Sequence, residues 1–109
     1  MLDLEWAARV DVVVDASDLD AAGRLKAEAC SLWAIMALET AAREGAQDVR
    51  LVSLSVEMGP AECFVGQDIA VMAETNKRSR ALAFLSAKAE DEVGRMLFTA
   101  TGVFGLSSE

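Results

Sequence analysis

The residue types in this chain restrict its chemistry before any fold is considered. Among its 109 residues there is no histidine, so a Ser-His-Asp triad, a histidine general base or an Asp-His dyad cannot be assembled. Acid–base work must fall to carboxylates, lysine or backbone groups. Ser31, without a histidine partner, has little claim as a nucleophile. The two cysteines, Cys30 and Cys63, lack metal-ligand spacing, so they read as buried or half-buried thiols and no metal site is expected. Asp18 and Asp20 stand in the stretch Ala16-Ser-Asp-Leu-Asp-Ala-Ala-Gly23, and Glu39 precedes Arg43 at i, i+4 spacing. Each has a plain structural use: the aspartates as turn or helix-capping residues, the glutamate in a surface ion pair worth about 0.3 to 0.5 kcal/mol. Lys77, Arg78 and Arg80 form the one dense basic cluster. It is either a solvated turn or a set of charge-assisted donors for an anion.

The elements that must position these groups follow from periodicity. A length of 109 residues with 53 % apolar content and one proline predicts a single compact domain over residues 1–109. The longest apolar stretch, around Leu32 to Leu38, is too short to cross a bilayer, and no basic region precedes an apolar run at the N-terminus. A cytoplasmic location is the expectation, with no membrane partner. A formal charge of −8 argues against nucleic acid as a partner. The valine-rich segment Ala8 to Asp15 predicts a strand, followed by a loop to Gly23. Lys26 to Glu44 is Ala-rich and uninterrupted until Gly45, which predicts one helix. Its residues Cys30, Ala34, Ala37 and Ala41 make a small-residue face, and apolar groups cover most of the circumference. Such a helix calls for protein on nearly every side. Beyond Gly45 the period changes to two: strands are predicted at Val52–Met58, Asp68–Thr75, Ala81–Glu90 and Arg95–Phe104, with turns at Asn76–Ser79 and Asp91–Gly94. The order β-α-β-β-β-β predicts an α+β fold in which a five-stranded antiparallel sheet curls around the helix.

That order, together with the strand Gly66-Gln-Asp-Ile-Ala-Val-Met-Ala and the Asp91-Glu-Val-Gly94 turn before a closing strand, resembles the hotdog fold of the acyl-CoA thioesterase superfamily. The loop Asp18-Leu-Asp20-Ala-Ala-Gly23, with Trp33 beyond it, is similar to the D-x-D-x-x-G loop of hydroxybenzoyl-CoA-type thioesterases. The resemblance implies that Asp20 is the catalytic carboxylate. A second branch of the superfamily carries its acid on the helix, and aligning its L-A-E/D-x-A pattern with Ala37-Leu-Glu39-Thr-Ala41 makes Glu39 the runner-up, although its His-Gly-Gly is replaced by Cys30-Ser31-Leu32.

A thioester carbonyl is already electrophilic, so cleavage needs a carboxylate to attack it or to activate water, and a donor for the oxyanion. The backbone N–H groups of Lys26 and Ala27, at the helix start, are the expected donors. Lys77, Arg78 and Arg80 are the expected contact for the phosphates of coenzyme A or for an acidic carrier protein. No resident cofactor is expected, coenzyme A being part of the substrate. The resemblance also implies a homodimer or homotetramer. Two functions stay open: a thiolester hydrolase working at a subunit-interface cleft, and a non-catalytic hotdog module that binds an acyl or aromatic ligand or only its partner subunits. A dehydratase on this fold is disfavoured by the missing histidine.

Overall fold

The computed structural model describes residues 8–107; residues 1–7 and 108–109, the ends of the expected domain, lie outside them. In chain order the elements are β1 (Ala8–Val13), a 3-10 turn (Ala16–Asp18), α1 (Ala27–Ala42), β2 (Asp48–Met58), β3 (Asp68–Arg78), β4 (Leu82–Glu90) and β5 (Met96–Ser107). The strands form one sheet in the order β1-β3-β4-β5-β2, with every neighbouring pair antiparallel. This is the predicted α+β architecture, one helix packed against a curved five-stranded sheet.

The helix and sheet meet through small residues. Cys30, Ala34, Ala37 and Ala41 are 0–1 % exposed, and α1 packs against all five strands. Small side chains let the backbones approach closely, so Leu38, Ile69, Val71, Leu85, Phe98 and Phe104 fill the remaining space and are themselves fully buried. Each such large side chain contributes about 1.5 to 3 kcal/mol on leaving water. The predicted all-round cover is incomplete: Leu32 and Met36, on the helix face turned from the sheet, are 56 % and 39 % exposed.

Three strands run three residues or more beyond the periodicity: β5 continues from Phe104 to Ser107, and β2 and β3 are also longer. β2 begins at Asp48, ahead of the apolar alternation, because it pairs with β5 from Ser107 onward. β3 continues through the polar residues to Arg78, since a register shift between Thr75 and Lys77 lets the ladder resume against Phe84 and Ala83. The predicted Asn76–Ser79 turn is therefore a shorter connection around Ser79, whose N–H donates to the Leu82 carbonyl at 2.8 Å. Lys77 and Arg78 belong to a strand end, and only Arg80 belongs to the connection. Arg78 Nη2 donates to the Ala42 carbonyl at 3.3 Å. A sheet residue thus satisfies the carbonyl end of a helix whose own last turn holds no basic side chain.

Beyond β2 the chain passes so close to β5 that Gly59 N–H donates to the Leu97 carbonyl at 2.7 Å. A Cβ on Gly59 would stand 2.8 Å from the Met96 carbonyl oxygen. Further on, Gln67 and Asp91 fasten this connection to the β4–β5 turn. Gln67 Oε1 accepts from Phe64 N–H at 3.2 Å, and its Nε2 donates to Asp91 Oδ2 at 3.4 Å. The Asp91 side chain is 1 % exposed and also receives Arg95 Nε at 2.8 Å. Burial pushes the Asp91 carboxyl upward, but hydrogen bonds from the Arg95 and Val93 N–H groups and from the Arg95 guanidinium outweigh it and hold the group below 3.8. A carboxyl lowered by folding stabilises the fold above its unfolded pKa, and that contribution is lost as pH falls through the folded value. Asp91→Asn is therefore expected to lower the urea midpoint at pH 7, and its gap from the parent protein is expected to narrow as pH falls below about 4. A constant gap across that range would show that the Asp91 charge does not contribute.

Candidate functional site

The most closed of the larger concavities, about 460 Å³, lies beyond the N-terminal end of α1. Asp20, Arg24 and Leu25 line it from the loop ahead of the helix, Met58 to Glu62 from the end of β2 and the chain after it, and Leu97 from β5. Its lining is mixed, with Leu25, Met58, Pro60, Ala61 and Leu97 beside the charged groups Asp20, Arg24 and Glu62.

Asp20 is held in a closed ring. Its N–H donates to the Arg24 carbonyl at 2.8 Å, and Gly23 N–H donates to the Asp20 carbonyl at 2.9 Å. Its Oδ1 accepts from Ala22 N–H at 2.9 Å and Arg24 N–H at 3.0 Å. Gly23 turns the ring with φ 79°. The preceding aspartate, Asp18, is structural: its Oδ2 accepts from Asp15 N–H at 2.9 Å, and its carbonyl accepts from Lys26 N–H at 2.9 Å.

The Asp91 turn repeats this ring bond for bond. Asp91 N–H donates to the Arg95 carbonyl at 3.1 Å, Gly94 N–H to the Asp91 carbonyl at 3.0 Å, and Val93 and Arg95 N–H to Asp91 Oδ1 at 3.1 and 2.9 Å. Both turns read Asp-x-x-Gly-Arg: Asp20-Ala-Ala-Gly23-Arg24 and Asp91-Glu-Val-Gly94-Arg95. They differ in what remains after the turn is made. Arg95 closes on Asp91 Oδ2 and Gln67 joins it. Asp20 Oδ2 and the Arg24 guanidinium, by contrast, have no partner among the described residues, and both residues line the cleft. Turn formation accounts for all of Asp91 but for only half of Asp20.

The Arg24 N–H bond does most to hold the Asp20 carboxyl below the ordinary aspartate range. It acts against desolvation and is helped by Ala22 N–H and by the charges of Arg24 and Lys26. Asp20 is accordingly ionised at neutral pH, with one oxygen fixed and the other open. Such a group can attack an electrophilic acyl carbon or take a proton from water.

The other expected residues do not gather here. Glu39 lies near the opposite end of α1, where its Oε2 accepts from Arg43 Nη2 at 2.7 Å. This is the surface pair that the spacing allowed, and it does not reach the cleft. Lys77, Arg78 and Arg80 also sit at that far end, beside Ala42, about 24 Å of helix away. The expected oxyanion donors, the N–H groups of Lys26 and Ala27, stand apart from this cleft. Lys26 N–H is spent on Asp18, and neither Lys26 nor Ala27 lines the cleft. Cys30 and Cys63 are free and buried. Burial, then the neighbouring Cys63, pushes the Cys30 thiol up to about 11, which leaves it protonated and unreactive at neutral pH. No cluster that could hold a metal exists among the described residues. Arg24 and Glu62 were not singled out from the sequence, although the repeated Asp-x-x-Gly-Arg was a readable signal for Arg24.

Among solved structures the chain is similar to a point mutant of the phenylacetic acid degradation protein PaaI from Thermus thermophilus. That match has 19 % identity and a TM-score of 0.82, covering 90 % of this chain and 83 % of that one. Similarity extends to smu.793 from Streptococcus mutans bound to acetyl CoA, at 10 % identity and a TM-score of 0.85, covering 93 % and 81 %. A hypothetical thioesterase protein with coenzyme A from Streptococcus pneumoniae matches at 13 % identity and 0.83, covering 95 % and 82 %. No protein-family model and no curated protein matches the chain. At these identities the likeness lies in the course of the backbone, and with the sheet order and enclosed helix described above it identifies the chain as a hotdog-fold protein.

Proposed function

We propose that this protein is a thioesterase-type hydrolase that cleaves an acyl thioester of coenzyme A, or of an acyl carrier protein, at the Asp20 cleft. The observation that carries this reading is the unspent Asp20 Oδ2 of a residue that lines the cleft, where the matching oxygen of Asp91 is engaged by Arg95 and Gln67. The fold supports it, as do neighbours whose printed names include coenzyme A and acetyl CoA. Asp20 acts as nucleophile or as general base, and coenzyme A enters as part of the substrate. A cytoplasmic setting fits two unbridged thiols and a chain in which no described helix is long and apolar enough to cross a membrane.

A second copy of the chain completes the site in this reading. β2 is an edge strand paired only with β5, and Leu32, Met36 and Val52 leave apolar surface uncovered. Lys77, Arg78 and Arg80 bear on the phosphates of coenzyme A from the partner copy, since within one chain they lie a helix length from Asp20. The other reading, a non-catalytic binding module, draws on the same turn: Asp20 shares every ring hydrogen bond of the purely structural Asp91.

Two measurements test these statements. Asp20→Asn keeps the Oδ1 acceptor and hence the turn, so the variant should stay folded while hydrolysis of short-chain and aromatic acyl-CoAs falls by about 10²-fold or more. Normal turnover by that variant sinks the assignment; loss of turnover in Glu39→Gln instead moves the chemistry to the helix carboxylate. Light scattering is expected to give a mass of two or four chains, and Leu32→Asp with Met36→Asp to lower it. A monomeric parent protein would contradict the shared cleft.

A further inference from the structure

An acyl-transfer site needs a donor where the carbonyl oxygen becomes negative, and the N–H expected to provide it at Lys26 is already bonded to Asp18. Among the described residues lining the cleft, only Arg24 carries a side-chain N–H donor. Of the backbone donors along the Met58–Glu62 wall, Gly59 N–H is spent on Leu97 and Pro60 has none, which leaves those of Ala61 and Glu62 beside the Arg24 side chain. The twin turn shows what an arginine at this position does when nothing else claims it: Arg95 folds back on the free oxygen of its own aspartate at 2.8 Å. Arg24 does not, although it stands in the same ring, and no described residue takes its guanidinium. The backbones of Asp20 and Arg24 are thus bonded to each other on one cleft wall, with no bond between the two side chains.

We propose that Arg24 is a catalytic residue of this cleft, its guanidinium donating to the thioester carbonyl oxygen as that oxygen becomes an oxyanion. The inference rests on the thioesterase reading and deepens it. As Asp20 takes a proton from water, the water oxygen bonds to the acyl carbon and the carbonyl π electrons move to the oxygen facing Arg24. Collapse re-forms the C=O bond and breaks the C–S bond. The thiolate leaves with the proton that Asp20 accepted, giving acid and thiol. If Asp20 Oδ2 attacks directly, its bond to the acyl carbon puts the charge on the same carbonyl oxygen, and collapse breaks the C–S bond to give an acyl anhydride and a thiolate; water then hydrolyses the anhydride, restoring the Asp20 carboxylate and releasing the acid, whose proton the thiolate takes up. Arg24 meets the charge in either route. Its position in the ring places it beside the reacting carbonyl, well short of the phosphates at the far end of a pantetheine arm.

The test compares the full-length parent protein with Arg24→Gln and Arg24→Lys on butyryl-CoA and on S-butyryl-N-acetylcysteamine, which has no phosphate. The ring uses only the backbone of Arg24, so both variants should keep the parent melting temperature. Arg24→Gln is expected to lower kcat by about 10²- to 10³-fold on both thioesters with KM changed only a few-fold, and Arg24→Lys to recover part of the loss. The acid limb of kcat/KM in Arg24→Gln should also move to higher pH, because the Arg24 charge no longer favours the Asp20 carboxylate. A loss confined to butyryl-CoA and expressed in KM would make Arg24 a phosphate contact and overturn the proposal, and unchanged kcat would do the same. No hydrolysis by the parent protein would remove the thioesterase reading and this inference together, whereas an active parent with an equally active Arg24→Gln removes this inference alone.

Discussion

The close approach of α1 to the sheet constrains everything else in this molecule. Cys30, Ala34, Ala37 and Ala41 place almost no side-chain volume between helix and strands, so the sheet must curve around the helix to bury its larger neighbours. That curvature brings the start of the helix, the end of β2 and the start of β5 to one end of the fold. The cleft is the space left between them. A larger residue at Ala34 or Ala37 would push the layers apart and loosen the cleft walls as well as the core.

Within that frame one local motif serves two ends. The Asp-x-x-Gly-Arg ring closes the β4–β5 turn and, in the same conformation, the loop ahead of α1. At Asp91 both carboxylate oxygens are engaged internally, and the turn is locked to the chain after β2 through Gln67. At Asp20 the ring is complete but the outer carboxylate oxygen and the guanidinium remain available. The contrast separates what a turn requires from what is left for chemistry.

Much of this was legible in the sequence because it follows from period and turn chemistry. The small-residue face, the order of elements and the Asp91–Gly94 turn are all present as predicted. The ends of β2 and β3 were not legible, because Asp48 and the polar run through Arg78 join strands through backbone pairing alone, which leaves no apolar signature. The uncovered Leu32 and Met36 look like core residues by type, and only the three-dimensional arrangement shows the sheet on the other side. Asp20 was reached by resemblance. Arg24 carries no periodicity, and its meaning appears only when its ring is set beside that of Arg95.

The central claim is that a thioester binds at the Asp20 cleft. Its most direct test is an NMR titration with a non-hydrolysable thioether analogue of an acyl-CoA, following backbone amides and the side-chain carboxyl carbons of aspartate and glutamate. The account predicts saturable shifts at Asp20, Arg24, Leu25 and Met58 through Glu62, with the Asp91 carboxyl unmoved. Saturable binding that perturbs Glu39 or Asp91 and leaves Asp20 and Arg24 unchanged would contradict it.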